Sequence, residues 1–212
     1  MPKVLGKNRK QAVSDLKKSL ILDAAKRVFE RGGLENASLR AIAREADYTP
    51  AALYFHFDSK EAVYAALLAR SLDVLKQNVE HAAAQTSDPS EQFRAAAAAY
   101  FQFFLKNPKD LDLGFYLSSG GMSPEGVGRE RNKELNTKLL DAIRPVEAAA
   151  LALSKSAQDA QKALTEFFVY ANGILLLVHT GRIKLFEDSE QDLLENFVSS
   201  QIESLMPSCH NK

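Results

Sequence analysis

From Ile21 to Leu205 the apolar residues return every three or four positions and almost nowhere alternate. A period near 3.6 belongs to helices and a period of 2 to strands, so this chain is expected to fold as packed helices. Ile21, Leu22, Ala25, Val28 and Phe29 set the pattern: they share one helical face, and Gly32-Gly33 closes the segment. Ser38 can cap a short second helix whose inward face is Leu39, Ile42, Ala43 and Ala46. Asp47-Tyr48 breaks it. Thr49 can cap a third, with Pro50 at the favoured first position and Leu53 and Phe57 following. Ser59 can cap a long fourth helix towards Ala84.

The same punctuation continues to the end. Asp88 with Glu91 opens a helix to about Leu105, and Asn107-Pro108 stops it. A short segment from Asp110 leads into the loop-like Ser118-Ser119-Gly120-Gly121. Ser123-Pro124-Glu125 starts a further helix that Pro145 should kink or divide. Ser156 caps a strongly apolar helix over 157–183, and Ser189 caps the last, over 190–206. The expected fold class is all-α, with about nine helices.

Composition bounds the rest. The 212 residues are 46% hydrophobic and 25% charged, which excludes a disordered or collagen-like chain. The single Cys209 excludes an internal disulfide. Apolar runs such as Gly173 to Val178 are far too short for a membrane span, and Met1 leads into basic residues with no secretory signal behind them. A soluble, cytoplasmic protein with no membrane partner is expected. The zero net charge conceals a division: residues 1–60 carry 12 Lys+Arg against 7 Asp+Glu, and the remainder 15 against 20. Lys3, Lys7, Arg9, Lys10, Lys17 and Lys18 lie before the first apolar face with only Asp15 against them. A basic end suits a polyanion partner, and suits a solvated terminus equally.

Residues 38–57 read as helix, three-residue turn and short helix under a covering helix, the layout of a helix-turn-helix. The particular strings sharpen this. Ile21-Leu-Asp-Ala-Ala-Lys-Arg-Val-Phe29, Ser38-Leu-Arg-Ala-Ile-Ala-Arg-Glu-Ala46, Ala52-Leu-Tyr-Phe-His-Phe57 and Ser59-Lys-Glu61 resemble the DNA-binding domain of the tetracycline-repressor (TetR) family over about 17–70. Beyond residue 80 the likeness is one of size and helical content.

The resemblance implies a basic arm over 1–16, a helix-turn-helix domain over 17–70 and a ligand-binding and dimerisation bundle over 71–212. The first three helices form the DNA-binding domain, and the long fourth joins it to the bundle. It implies that Tyr54, His56 and Lys60 donate to DNA phosphates, with the helix N-terminus adding backbone donors at Lys60. Arg40 falls where some members grip guanine. Tyr48, Thr49, Pro50, Ala51 and Ala52 fall on the surface against base edges. Without the motif, Tyr54 and Phe55 read equally as packing aromatics. The chain departs from the family where Gly-Val usually forms the turn and here stands Asp47-Tyr48, and where Ala51 replaces a frequent Gly. Asp tolerates the left-handed conformation that Gly normally supplies, at some cost.

The bundle is rich in aromatics, most of them core. An effector pocket is expected from Phe101, Phe104, Phe115, Tyr116, Phe168 and Asn172, for an apolar or amphipathic small molecule. Asn172 and His179, inside the most apolar helix, need partners from an interface or a ligand. The last two helices resemble the pair that forms a four-helix bundle in family dimers. Phe167, Ala171, Ile174, Leu175 and Val178, with Leu194, Phe197, Val198 and Gln201, are the expected surface. The resulting expectation is a homodimeric regulator, a repressor of operator DNA released by its effector, with no cofactor or metal and no enzymatic role. An all-α enzyme lacks support: there is no Glu-x-x-His pair and no Gly-x-Ser-x-Gly. A ligand-binding module without DNA binding is the other alternative, resting on the Asp47, Tyr48 and Ala51 departures.

Overall fold

The computed structural model describes residues 3–32, 36–115 and 127–206. Among them are nine α-helices and no strand: α1 Lys3–Gly32, α2 Leu39–Glu45, α3 Pro50–Tyr54, α4 Lys60–Ala83, α5 Pro89–Lys106, α6 Pro108–Phe115, α7 Arg129–Ser154, α8 Ala157–His179 and α9 Glu190–Leu205. None of the described helices is long and apolar enough to cross a membrane.

Side-chain caps set the starts. Ser38, Thr49, Ser59, Asp88, Ser156 and Ser189 each accept a hydrogen bond from the backbone N–H three residues on, satisfying donors that a helix leaves unpaired. Three segments bear on the sequence expectation. The backbone of α1 is helical from Lys3, so the basic arm continues the first helix rather than preceding it. The apolar helix expected through Ile183 stops at His179, because Gly181 turns into the left-handed region at φ 70 and a 3-10 turn follows over Arg182–Leu185. α7 runs as one helix through Pro145, which removes one backbone donor without dividing the element.

The chain divides into two compact units. The first takes in Asp112–Leu135 as well as Met1–Arg70; the second holds Ser71–Leu111 and Asn136–Lys212. In the first, Ile21, Ala25, Ile42, Leu53 and Val63 are fully buried, and Phe29 meets Tyr64 edge to face at 5.5 Å. The Tyr64 hydroxyl donates to the Leu113 carbonyl at 2.6 Å. The second unit is centred on Tyr100, also fully buried, with Phe104 and Phe167 edge-on at 5.1 and 5.4 Å. Burial pushes the Tyr100 phenol well above its ordinary range, against the opposing pull of its hydrogen bond to Asn172. Phe93, Phe101, Leu175 and Val198 complete that core.

Candidate nucleic-acid interface

The turn between α2 and α3 is made by Asp47 at φ 57, the left-handed conformation expected of it, and by Tyr48, whose N–H donates to the Ala43 carbonyl at 2.8 Å. Beyond it Leu53 and Phe57 point inward and are buried, which fixes how α3 is rotated. Thr49, Pro50 and Ala51 are left exposed, as are Tyr54 at 56% and Phe55 at 85%. Neither of the last two aromatics is a packing residue. Ala52, Tyr48 and His56 are half-buried beside this face, and Thr49 Oγ1 already accepts from the Ala52 N–H at 3.2 Å. The threonine O–H is still able to donate.

Ion pairs hold the supporting helices. Glu45 of α2 receives Arg27 Nε at 2.7 Å and also the Arg31 guanidinium, both from α1. Arg27 first, then Arg31, keep its carboxyl below the usual carboxylate range. Arg70 reaches Asp23 at 2.7 Å, tying α4 to α1. Asp58, in the loop before α4, receives Arg131 Nη2 at 3.1 Å on both carboxylate oxygens. Exposed pairs of this kind add little stability singly, so their effect is to fix orientation.

Arg40 stands exposed on the first turn of α2, and Lys60 opens α4 as its first residue, half-buried. Desolvation, then the ammonium groups of Lys18 and Lys17, hold the His56 imidazole below its ordinary value of 6.5. Lys17 and Lys18 of α1 therefore lie near His56 and extend the same cationic surface. Phe55 is the residue that sequence reasoning left undecided; its signal was its place between Tyr54 and His56, two residues already assigned outward.

The other expected residues are distributed differently. Phe101 and Phe104 are buried, and Phe168 packs near Tyr100 at 6.2 Å between rings. Asn172 is satisfied within its chain: its Oδ1 accepts from Tyr100 at 3.0 Å and its Nδ2 donates to the Phe168 carbonyl at 2.7 Å. The Phe115 side chain and Tyr116 lie outside the described residues. Of the nine expected dimer residues, Phe167, Ala171, Ile174, Leu175, Leu194 and Val198 are buried inside the single chain. That corrects their assignment to a surface. Val178, Phe197 and Gln201 are half-buried; Phe197 stacks on Tyr170 at 4.2 Å, and Gln201 donates to Glu166 at 2.9 Å. The outward apolar residues of α8 are instead Val169 at 66%, Tyr170 at 37% and Leu176 at 40%, with exposed Gly173 among them. Among the described residues no three His, Cys, Asp or Glu side chains gather as a metal site.

Comparison with known proteins bears on this geometry. Residues 21–67 match the family model for bacterial regulatory proteins of the tetR family. The chain is 37% identical over 89 residues to the HTH-type transcriptional activator FasR of Mycolicibacterium smegmatis, covering 42% of this chain and 41% of that one. It is 37% identical over 84 residues to the HTH-type nicotine-responsive transcriptional repressor HdnoR of Paenarthrobacter nicotinovorans, covering 40% and 41%. The matches thus span less than half the length of these relatives. The crystal structure of the transcriptional regulator FadR from Bacillus subtilis in complex with stearoyl-CoA superposes with a TM-score of 0.65 at 17% identity, over 91% of this chain and 99% of that one. At that identity the likeness is one of fold.

Proposed function

With residues 21–67 a domain of the tetR family of bacterial regulatory proteins, we propose that the chain is a DNA-binding transcriptional regulator, a cytoplasmic homodimeric repressor released from its operator by a small amphipathic molecule. The observation that carries this reading is the outward face of α3, where Thr49, Pro50, Ala51, Tyr54 and Phe55 stand exposed on a helix anchored by Leu53. A five-residue helix that buries Leu53 in the core and leaves Pro50, Ala51 and Tyr54 exposed suits a groove. The similarity to proteins named as regulators supports this over an enzyme, and the nicotine-responsive relative supports a small-molecule effector.

In this reading Tyr54, His56 and Lys60 donate to phosphates, and Lys17 and Lys18 extend the electrostatic contact. Arg40 reads guanine, while Pro50, Ala52 and Phe55 meet thymine methyls and sugars. Tyr48, Thr49 and Ala51 border the same base edges. Two such units fit successive major grooves only near a separation of roughly 34 Å. An effector that favours another separation lowers DNA affinity by that preference and no more. The second copy docks on Val169, Gly173 and Leu176 of α8, with the stacked Tyr170 and Phe197 beside them. Mobility shift with DNA flanking the chain's own gene tests the whole reading. A retarded, salt-sensitive complex is expected; no shift at low salt and micromolar protein overturns it.

Two substitutions separate the roles within the site. Lys60→Ala is expected to weaken binding to every sequence alike and to reduce the salt slope by about one. Arg40→Ala is expected to cost about 1–3 kcal/mol at one or two base pairs per half-site and to leave other positions unchanged. Competition titrations over single-base operator variants at several salt concentrations read both; a sequence-selective effect of Lys60→Ala would exchange the assignments.

Binding should also take up a proton. In the free protein desolvation and the neighbouring ammoniums hold the His56 imidazole below its ordinary value, and a phosphate beside it favours the charged form. Affinity is therefore expected to rise as pH falls from 8 towards 6, and His56→Gln to flatten that rise. For folding alone the sign is opposite: the unfolded chain binds the proton more readily, so this group's contribution is complete above 6.5 and declines below it. Operator titrations at fixed ionic strength across this range, for both proteins, decide the point.

A further inference from the structure

α5 and α9 run in opposite directions. Arg94, early in α5, donates to Ser199 Oγ late in α9 at 2.8 Å, whereas Gln102 shares a cavity with Gln191 at the other end of the pair. Midway along α5 stands Ala98, exposed and too short to fill the space between the helices. A cavity of about 210 Å³ lies there, with Phe101, Leu194 and Val198 as its buried apolar floor. Phe101, a member of the expected effector set, borders it.

The polar groups around this floor carry opposite charges. Arg94 is oriented by Ser199 and by Glu91, whose carboxylate lies 3.7 Å away, and those partners leave most of its five donors for another acceptor. Glu195 lines the same cavity and, among the described residues, engages no ion pair or hydrogen bond through its side chain. A plain organic cation would meet the guanidinium, and a plain anion would meet the carboxylate. A ligand bearing both charges satisfies both. Size narrows the choice further: a cavity of roughly 150 Å³ accepts a benzene ring, so this one takes a single ring with a short polar tail. Gln102 and Gln191 supply amides at the far end for edge contacts.

We propose that the groove between α5 and α9 binds a small amino-acid-like zwitterion with an apolar side chain, its carboxylate on Arg94, its ammonium on Glu195 and its side chain over Ala98. This deepens the reading of the second unit as a sensor by naming the effector's chemical class, and rests on that reading for its regulatory consequence. The binding itself is independent of DNA. A ligand wedged between α5 and α9 shifts a helix whose Phe197 stacks on Tyr170 of α8.

Calorimetry on the whole chain without DNA tests it, using L-phenylalanine, phenethylamine and 3-phenylpropanoate as probes. Phenylalanine is expected to bind, and each probe lacking one charge to bind at least about tenfold more weakly. Ala98→Leu, at an exposed helical position that tolerates leucine, should abolish binding of all three with an unchanged circular dichroism spectrum. Glu195→Gln should remove the advantage of phenylalanine over phenylpropanoate. Equal affinity for the three probes, undiminished binding by Ala98→Leu, or no heat with phenylalanine at about 10 mM overturns the proposal. Because the assay contains no DNA, each of these outcomes leaves the operator-binding reading standing, and a failed mobility shift leaves this one standing.

Discussion

Val169→Glu combined with Leu176→Glu is expected to give a folded monomer whose operator affinity is lower by about 10³-fold or more, because a lone half-site supplies too few contacts for tight specific binding. Both side chains are exposed on α8, so the fold loses little. A two-fold interface brings each patch against itself, so each carboxylate meets its own copy across the axis. The neighbouring Ala171→Glu has a different expected result. Ala171 is fully buried within the chain, and a charge there is uncompensated, so that variant should fail to fold rather than fail to pair. Size-exclusion chromatography with light scattering distinguishes the outcomes. A double variant that still runs as a dimer, or a parent chain that is monomeric at micromolar concentration, ends the model of pairing through α8.

Phe167→Ala should produce the largest loss of stability, about 3–5 kcal/mol. The ring is fully buried and stands edge-on to Tyr100, so its removal opens a void beside the most enclosed phenol among the described residues. For a chain of this size that corresponds to a fall in melting temperature of about 10 °C. Thermal unfolding followed by near-ultraviolet dichroism reads it; a shift of only about 2 °C would mean that the cavity collapses and the aromatic cluster repacks.

Where a feature was written in local chemistry, it could be read from sequence. The caps at Ser38, Thr49, Asp88, Ser156 and Ser189 mark helix starts because an oxygen three residues before an orphan N–H satisfies it. Asp47 could be placed in the left-handed region through the family resemblance, because it stands where a glycine usually makes the turn and Asp tolerates that conformation. The inward face of α8 was not legible. Ala171, Ile174 and Leu175 face their own chain while Val169 and Leu176 face outward, yet all are apolar, so periodicity cannot say which side meets α5 and α9. The expected pocket was hard to place for a related reason. Aromatic residues at helical spacing fill a core or line a cavity with the same composition, and it takes contacts such as those of Tyr100 with Phe104 and Phe167 to show where a ring packs. The beginning of α1 was likewise hidden, because a charged segment without an apolar face gives no periodic signal even when its backbone continues a helix.

Asp47 has an effect beyond the backbone angle it supplies. It is exposed and sits in the turn between the two helices that would border the phosphates. Its negative charge opposes every DNA segment alike, whatever the base sequence, and so weakens random contacts without altering preference among sites. Any site-specific DNA-binding protein spends most of its search on the wrong sequence. Shortening each such stop lets the molecule sample more of the chromosome per unit time, so a residue that makes the turn slightly costlier than glycine would also make the search quicker. Asp47→Gly should therefore linger longer on random DNA while recognising the same operator.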